Sequence, residues 1–327
     1  MEPGDSQSSS HSPDPDTTGR LREALLGSDW MADELVRLAS EEEDTEEEDT
    51  LATDGGPALP EGRIEGGVFG KYRLVRELGR GGMGVVYLAV DTELDREVAL
   101  KLQRVRSEDD REAVSRLLRE ARMAAGLEHP GIVPIYEVGE LHGVPYFTMA
   151  YVRGRTLGEI LQEDVALDLR DRARLVHDIA EAVAHAHERQ VIHRDLKPSN
   201  VLVDPSGGVH VLDFGLARRL DERTLLTRTG QLLGTPHYMS PEQVDGRTHQ
   251  VGLASDVYSL GVLLFEALTG VRPFPGDTVV EVLWRVVYSE TPSPCERNPR
   301  VPGDLETICI KSMQKDSLQR YPTAREL

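Results

Sequence analysis

The run Gly79-Arg80-Gly81-Gly82-Met83-Gly84 leads straight into Val85-Val86-Tyr87-Leu88-Ala89-Val90, and that continuation restricts the fold sharply. A dinucleotide-binding glycine turn must be followed by a helix whose N-terminus receives the phosphates. Here the following residues are β-branched and aromatic, which favours a strand. The turn also lacks the Gly-Lys-Ser/Thr ending of a P-loop. What remains is a strand–glycine turn–strand hairpin, whose backbone, bare of side chains, can close over phosphate groups.

The surroundings extend this pattern. Tyr72–Leu78, Val85–Val90 and Glu97–Gln103 are short β-forming segments separated by Gly81-Gly82 and Asp91–Asp95. A helix is expected next, with Ala113, Val114, Leu117, Leu118, Ala121 and Ala124 on one stripe. Ile132–Glu137 and Val144–Met149 read as two further strands. After Gly154 the chain is mainly helical, apart from a Val/Leu hairpin over 201–212. The fold class is therefore α+β and two-lobed: a β-rich lobe over 72–152 and a helical lobe over 153–327, joined near Tyr151–Gly154.

Residues 1–65 differ in kind. The chain of 327 residues carries a net charge of -20, and residues 1–60 alone hold 17 acids against 3 bases. The run Glu41–Asp49 repels itself and has nothing to bury, so 1–65 is expected to be a disordered acidic tail. Leu21, Leu25, Leu26, Trp30, Met31, Leu35 and Leu38 recur within it at roughly helical spacing, which suits either a docking helix or a transient helix without a role. With no basic face, nucleic acid is not an expected partner. Two cysteines, Cys295 and Cys309, cannot build a disulfide framework or a four-ligand zinc site and suit a reducing, cytoplasmic setting. No signal peptide is evident, and the apolar stretch Leu260–Leu268 is far shorter than the ~20 residues of a membrane span.

Three constellations carry chemistry. In Val98-Ala99-Leu100-Lys101 the small Ala99 and the Lys101 ammonium share one strand face beneath the glycine hairpin. Glu120 borders the apolar stripe of the helix and needs a cation. Lys101 is one candidate, and an Arg116–Glu120 surface pair is the alternative. The third cluster is His193-Arg194-Asp195-Leu196-Lys197-Pro198-Ser199-Asn200, followed by Asp213-Phe214-Gly215. Val201–Val203 and Val209–Leu212 form a hairpin around Asp204–Gly208, which puts Asn200 and Asp213 at its open ends, about 5 Å apart. A carboxylate beside an amide oxygen suits a hard cation such as Mg²⁺. His185, His187 and His193 also cluster, but His193 belongs to the motif and a metal role for the three is not expected.

The set G-x-G-x-x-G, V-A-L-K, H-R-D-L-K-P-S-N, D-F-G and Ser240-Pro241-Glu242, in that order over 72–327, resembles the eukaryotic-type protein kinase signature. Gly-Gly-Met-Gly in the loop, Leu127-Glu128-His129-Pro130-Gly131-Ile132-Val133 and Gly234–Gln243 make it similar to the bacterial serine/threonine kinases of that superfamily. The resemblance implies ATP and Mg²⁺ as cofactors and protein Ser/Thr hydroxyls as substrates. It implies that Leu78, Gly79, Arg80, Gly81, Gly82, Met83, Gly84, Val85 and Val86 cover the ATP phosphates, and that Lys101 contacts them and pairs with Glu120. Asp195 would position the hydroxyl and accept its proton, Lys197 would steady the γ-phosphate, and Asn200 and Asp213 would hold Mg²⁺.

The adenine would lie between Ala99, Val86 and Leu202, with Met149 behind it and Ala150 to Val152 as the hinge. Many relatives have Glu at the position of Ala150, where the contacts are backbone ones. Glu242 would pair with Arg320, and Asp256 would brace the catalytic loop from a buried helix over Val257–Leu268. Lys197 and Thr235 follow the serine/threonine rather than the tyrosine pattern. The resemblance implies autophosphorylation at Thr227 and Thr229, where a phosphate could engage Arg194, Arg218 and Arg219, and a dimer serving that reaction is one arrangement this allows. The chain stops at Leu327, where the family's last helix is starting, so membrane attachment is an expectation only for a longer parent chain. A pseudokinase or an adaptor built on the acidic tail is the rival reading; the presence of Lys101, Asp195, Asn200 and Asp213 favours the enzyme.

Overall fold

Alternation along the first strands creates two apolar faces. The computed structural model describes residues 67–81, 84–103, 115, 118–163, 167–214, 236–247 and 249–327. Within them, β1 (Val68–Phe69), β2 (Tyr72–Gly81), β3 (Gly84–Asp91), β4 (Arg96–Gln103), β5 (Ile135–Leu141) and β6 (Val144–Ala150) form one sheet in the order β1-β2-β3-β4-β6-β5. Every neighbouring pair is antiparallel. Because side chains alternate across a strand, Val98, Leu100 and Leu102 of β4 join Tyr72, Leu74, Val85, Tyr87 and Ala89 on one face. Ala99 goes to the other face with Phe147, Met149 and Ala121 of α1, the helical residues 118–124.

The expected strands are present with one shift. Ile132 and Val133 are not part of β5 but reach across to the second sheet: Ile132 makes an isolated parallel bridge with Val211, and Val133 N donates to Val211 O at 3.0 Å. Pro134 has no N–H to continue a ladder, which separates this bridge from β5.

The helical lobe is built around α5 (Leu253–Thr269). Every residue from Ser255 to Phe265 on this helix is buried, as its nearly all-round apolar sequence requires. Gly261 lies where α5 meets the end of α8 (Gly303–Ser312). A Cβ there would come within 2.7 Å of the Ser312 Cβ, so only glycine permits this approach. Gly270, at φ 76°, ends the helix in the left-handed conformation that favours glycine. Before α5 come α2 (Leu157–Gln162), α3 (Leu169–His187) and the short α4 (Pro241–Val244). Between α5 and α8 lie α6 (Val279–Tyr288) and α7 (Pro294–Arg297). Thr156 and Glu159 form a reciprocal capping box on α2, and Asp168 caps α3 by accepting from Asp171 N.

A small second sheet, β7 (Arg155–Thr156), β8 (Val201–Val203) and β9 (Val209–Val211), sits on the helical lobe. Val201 pairs with Val211, so Asn200 stands opposite Leu212, whose N–H donates to Asn200 O at 2.9 Å. Asp213 follows one residue later. The two hairpin ends are adjacent as expected, but offset by one position.

Candidate active site

The sheet and the small hairpin bring Lys101 to Asp213, and the catalytic loop brings Lys197 and Asn200 to Asp195. Leu78, Val86, Ala99, Met149, Ala150 and Val152 share one apolar cluster. Leu202 does not join it; it is half-buried on β8, opposite Thr156. Leu212 takes a place in the cluster instead, a position the sequence reading passed over because it looked only like the end of a hairpin strand. Gly79, Arg80 and Gly81 pair with Val86, Val85 and Gly84 across the hairpin. Gly84 has φ 149°, and a Cβ on it would meet Leu102 O at 2.0 Å, so glycine is required there. Gly82, Met83, Thr227, Thr229, Arg218, Arg219 and the acidic segment 1–65 lie outside the described residues.

Lys101 departs from expectation. Its Nζ lies 2.6 Å from Asp213 Oδ2, whereas Glu120 Oε1 lies 3.8 Å from Arg194 Nη1. The expected Lys101–Glu120 pair is thus replaced by two others. Arg194 is close enough to serve Glu120, and the short-range attraction of Lys101 goes to the carboxylate it reaches at hydrogen-bond distance.

The catalytic-loop motif is tightly cross-linked. Asn200 Nδ2 donates to Asp195 O at 2.8 Å and to Asp195 Oδ2 at 3.2 Å, and Lys197 Nζ lies 2.7 Å from the same Oδ2. His193 Nε2 donates to Leu212 O at 2.8 Å, and its ring packs against Phe214 with centroids 4.9 Å apart and planes inclined at 58°. Arg194 and Asp213 both occupy the left-handed region, at φ 68° and 58°. Such backbone costs a non-glycine residue about 1–3 kcal/mol and persists only where surrounding contacts enforce it.

For Arg194 those contacts include Asp256, as expected. Asp256 Oδ2 accepts from His193 N and Oδ1 from Arg194 N, each at 2.8 Å. Burial alone would raise the Asp256 carboxyl, but hydrogen bonding from His187 Nε2 at 2.9 Å and the charge environment hold it below its usual value. His187 was not among the sequence-predicted site residues; it lies on α3, and only packing against α5 brings it to Asp256. The Glu242–Arg320 pair is also as expected, a buried fork with two contacts of 2.8 Å. Burial pushes the Glu242 carboxyl up, and the Arg320 guanidinium outweighs this and holds it down.

Gln243 is a further residue the sequence reading did not single out. Its Oε1 accepts from Ser240 N at 2.9 Å, and its Nε2 donates to Arg194 O at 2.7 Å. The Ser240-x-x-Gln243 spacing is a capping-box signature and signals the first contact but not the second.

A divalent cation fits the remaining chemistry. Asp213 Oδ1 is buried with no hydrogen-bond partner, and Asn200 directs its amide nitrogen to Asp195, which leaves its oxygen as the donor for a metal. Among the described residues no group of three His, Cys, Asp or Glu side chains is arranged to hold an ion. One carboxylate with an amide matches Mg²⁺, which is typically held by few protein oxygens together with substrate phosphates. Also among the described residues, no helix is long and apolar enough to cross a membrane.

Comparison with known proteins agrees with this geometry. The protein kinase domain model matches residues 72–327. The chain is 43% identical over 263 residues to serine/threonine-protein kinase PrkC of Bacillus subtilis, covering 80% of this chain and 40% of that protein. It is 39% identical over 261 residues to serine/threonine-protein kinase PknB of Mycobacterium leprae, covering 79% and 42%. It therefore spans about two fifths of the length of these curated relatives. The crystal structure of the Mycobacterium tuberculosis PknI kinase domain superposes with a TM-score of 0.64 at 25% identity, covering 83% of this chain and 96% of that one. With its two-lobed α+β fold, the chain belongs to the protein kinase family, whose members in general use ATP and a divalent metal.

Proposed function

We propose that this chain is a Mg·ATP-dependent serine/threonine protein kinase acting on protein hydroxyls in the cytoplasm. The observation that carries the reading is the contact set that joins Lys101 to Asp213 and ties Lys197 and Asn200 to Asp195. The names of the relatives support the Ser/Thr class.

In this reading Asp213 and the Asn200 oxygen hold the Mg²⁺. Bound Mg·ATP supplies the phosphoryl group and, through the metal, neutralises charge on its oxygens. Lys197 and Asn200 occupy Oδ2 of Asp195, which leaves Oδ1 to orient the substrate hydroxyl and accept its proton. Lys197, beside that carboxylate, also steadies the transferring group, and Lys101 serves the α/β-phosphates. Leu78, Val86, Ala99, Met149 and Val152 exclude water around the adenine, and the glycine backbone from Gly79 to Gly84 covers the phosphates. Lys101 must exchange Asp213 for phosphate, and Glu120 is its expected partner once Arg194 is engaged elsewhere.

Autophosphorylation at Thr227 and Thr229 belongs to the same proposal. A phosphate there would draw on Arg194, releasing Glu120. A dimer would deliver one chain's threonines to another's Asp195. Incubation with labelled ATP, Mg²⁺ and a generic basic protein should label serine and threonine, and mass spectrometry should find phosphate on Thr227 and Thr229. A chain that binds ATP without transferring phosphate would be a pseudokinase.

A further inference from the structure

Asp195 follows a residue whose backbone is held in a left-handed turn, and what holds that turn extends beyond Asp256. A peptide unit is planar, so fixing its oxygen and its N–H fixes the direction in which the next Cα leaves. The Arg194–Asp195 peptide is held at both ends: Gln243 Nε2 donates to its oxygen at 2.7 Å, and its N–H points to His193 Nδ1 at 3.3 Å. The peptide before it is held by Asp256, which accepts from Arg194 N. The Cα of Asp195 therefore takes its direction from a plane that Gln243 pins from outside the catalytic loop.

Gln243 is itself anchored. Its Oε1 accepts from both the N–H and the hydroxyl of Ser240, at 2.9 and 3.0 Å. The residue before it, Glu242, is locked in the buried fork with Arg320 and accepts from Ser255 Oγ at 2.7 Å. One amide thus ties α4 to the carbonyl that precedes the proposed base. A glutamine is suited to this because its amide carries an acceptor and a donor on one rigid plane. Glutamate would keep the Ser240 contacts and put a carboxylate oxygen against the Arg194 carbonyl.

We infer that Gln243 is a positioning residue for Asp195, carrying the placement of the Ser240–Val244 anchor to the catalytic loop through the Arg194 carbonyl. The inference deepens the kinase reading above and rests on it for its kinetic readout.

The test compares the full chain with Gln243→Glu, which keeps the Ser240 contacts but replaces the donor with an oxygen that repels the Arg194 carbonyl, and Gln243→Met, which loses both contacts at similar volume. In both variants kcat on a basic protein substrate should fall about 5–10-fold, the effect of losing a hydrogen bond of ordinary strength. The KM for ATP should stay within about twofold, because no nucleotide contact is touched. Amide hydrogen exchange in the peptide spanning His193–Lys197 should accelerate in both, while exchange in β3 and β4 should not change. Wild-type kcat in Gln243→Glu would overturn the inference. So would a parallel loss of kcat, ATP affinity and melting temperature, which marks a residue needed only for folding. If the wild-type chain transfers no phosphate, the kinase reading fails, and the exchange measurement alone decides whether Gln243 holds the loop.

Discussion

Lys101 and Asp213 are 112 residues apart in the chain and meet at 2.6 Å across the cleft. Glu120 and Arg194 form the second contact of the same group, at 3.8 Å. Two cations and two carboxylates thus neutralise one another within the site, and the proposed reaction needs each of them for something else. In the proposed reaction, nucleotide would draw Lys101 from Asp213, and a phosphate on the loop would draw Arg194 from Glu120.

Lys101→Met should keep the fold and remove most turnover. The side chain is 13% exposed, with its ammonium 5.4 Å from the Phe147 ring, and methionine fills similar space. Removing a phosphate-stabilising cation should slow transfer by about a hundredfold or more. Labelled-phosphate transfer within about twofold of wild type would reject the role.

Asp195→Asn should leave ATP binding intact and lower the transfer rate by orders of magnitude, because an amide cannot take up the hydroxyl proton. Nucleotide titration and single-turnover kinetics separate the two effects. Collapse of ATP affinity instead would make Asp195 a structural residue.

Arg320→Met should destabilise the helical lobe strongly. Arg320 and Glu242 are almost completely buried, at 0% and 4% side-chain exposure, and removing one partner strands the other's charge. Breaking such a pair costs about 3–5 kcal/mol. The Glu242→Gln, Arg320→Met double variant should recover part of that loss in a urea titration, and an additive double variant would contradict the coupling.

The six-stranded sheet should carry an acid-sensitive contact. Glu137 accepts from Tyr72 OH at 2.6 Å and Tyr146 OH at 2.8 Å and pairs with Lys71 at 2.7 Å. Burial works against its ionisation, but Lys71 and the two tyrosines prevail and depress the carboxyl from 4.5 to about 2. A depressed acid contributes its stability fully above its unfolded value and loses it as the pH falls toward the folded one. The melting-temperature gap between wild type and Glu137→Gln should therefore be constant above about pH 5 and shrink as the pH falls toward about 2. A gap that stays level from about pH 5 to 3 would show that the charge contributes nothing there.

Whatever depends on neighbours along the chain was legible in the sequence. The valines after Gly84 exclude a helix, and they form β3. The nearly all-round apolar segment after Asp256 requires a buried helix, and α5 is one. The order of the motifs named the family, because local propensity and fixed spacing survive in any well-packed version of the fold. Contacts between segments distant in sequence were decided only by the packing of the lobes. That packing gave Lys101 to Asp213 and put Leu212 rather than Leu202 in the apolar cluster. It also turned the spare amide of Gln243 onto the Arg194 carbonyl. Spacing specifies which side chains share a strand face or a helix turn, but which of two carboxylates an ammonium reaches depends on ångström-scale placement of elements a hundred residues apart.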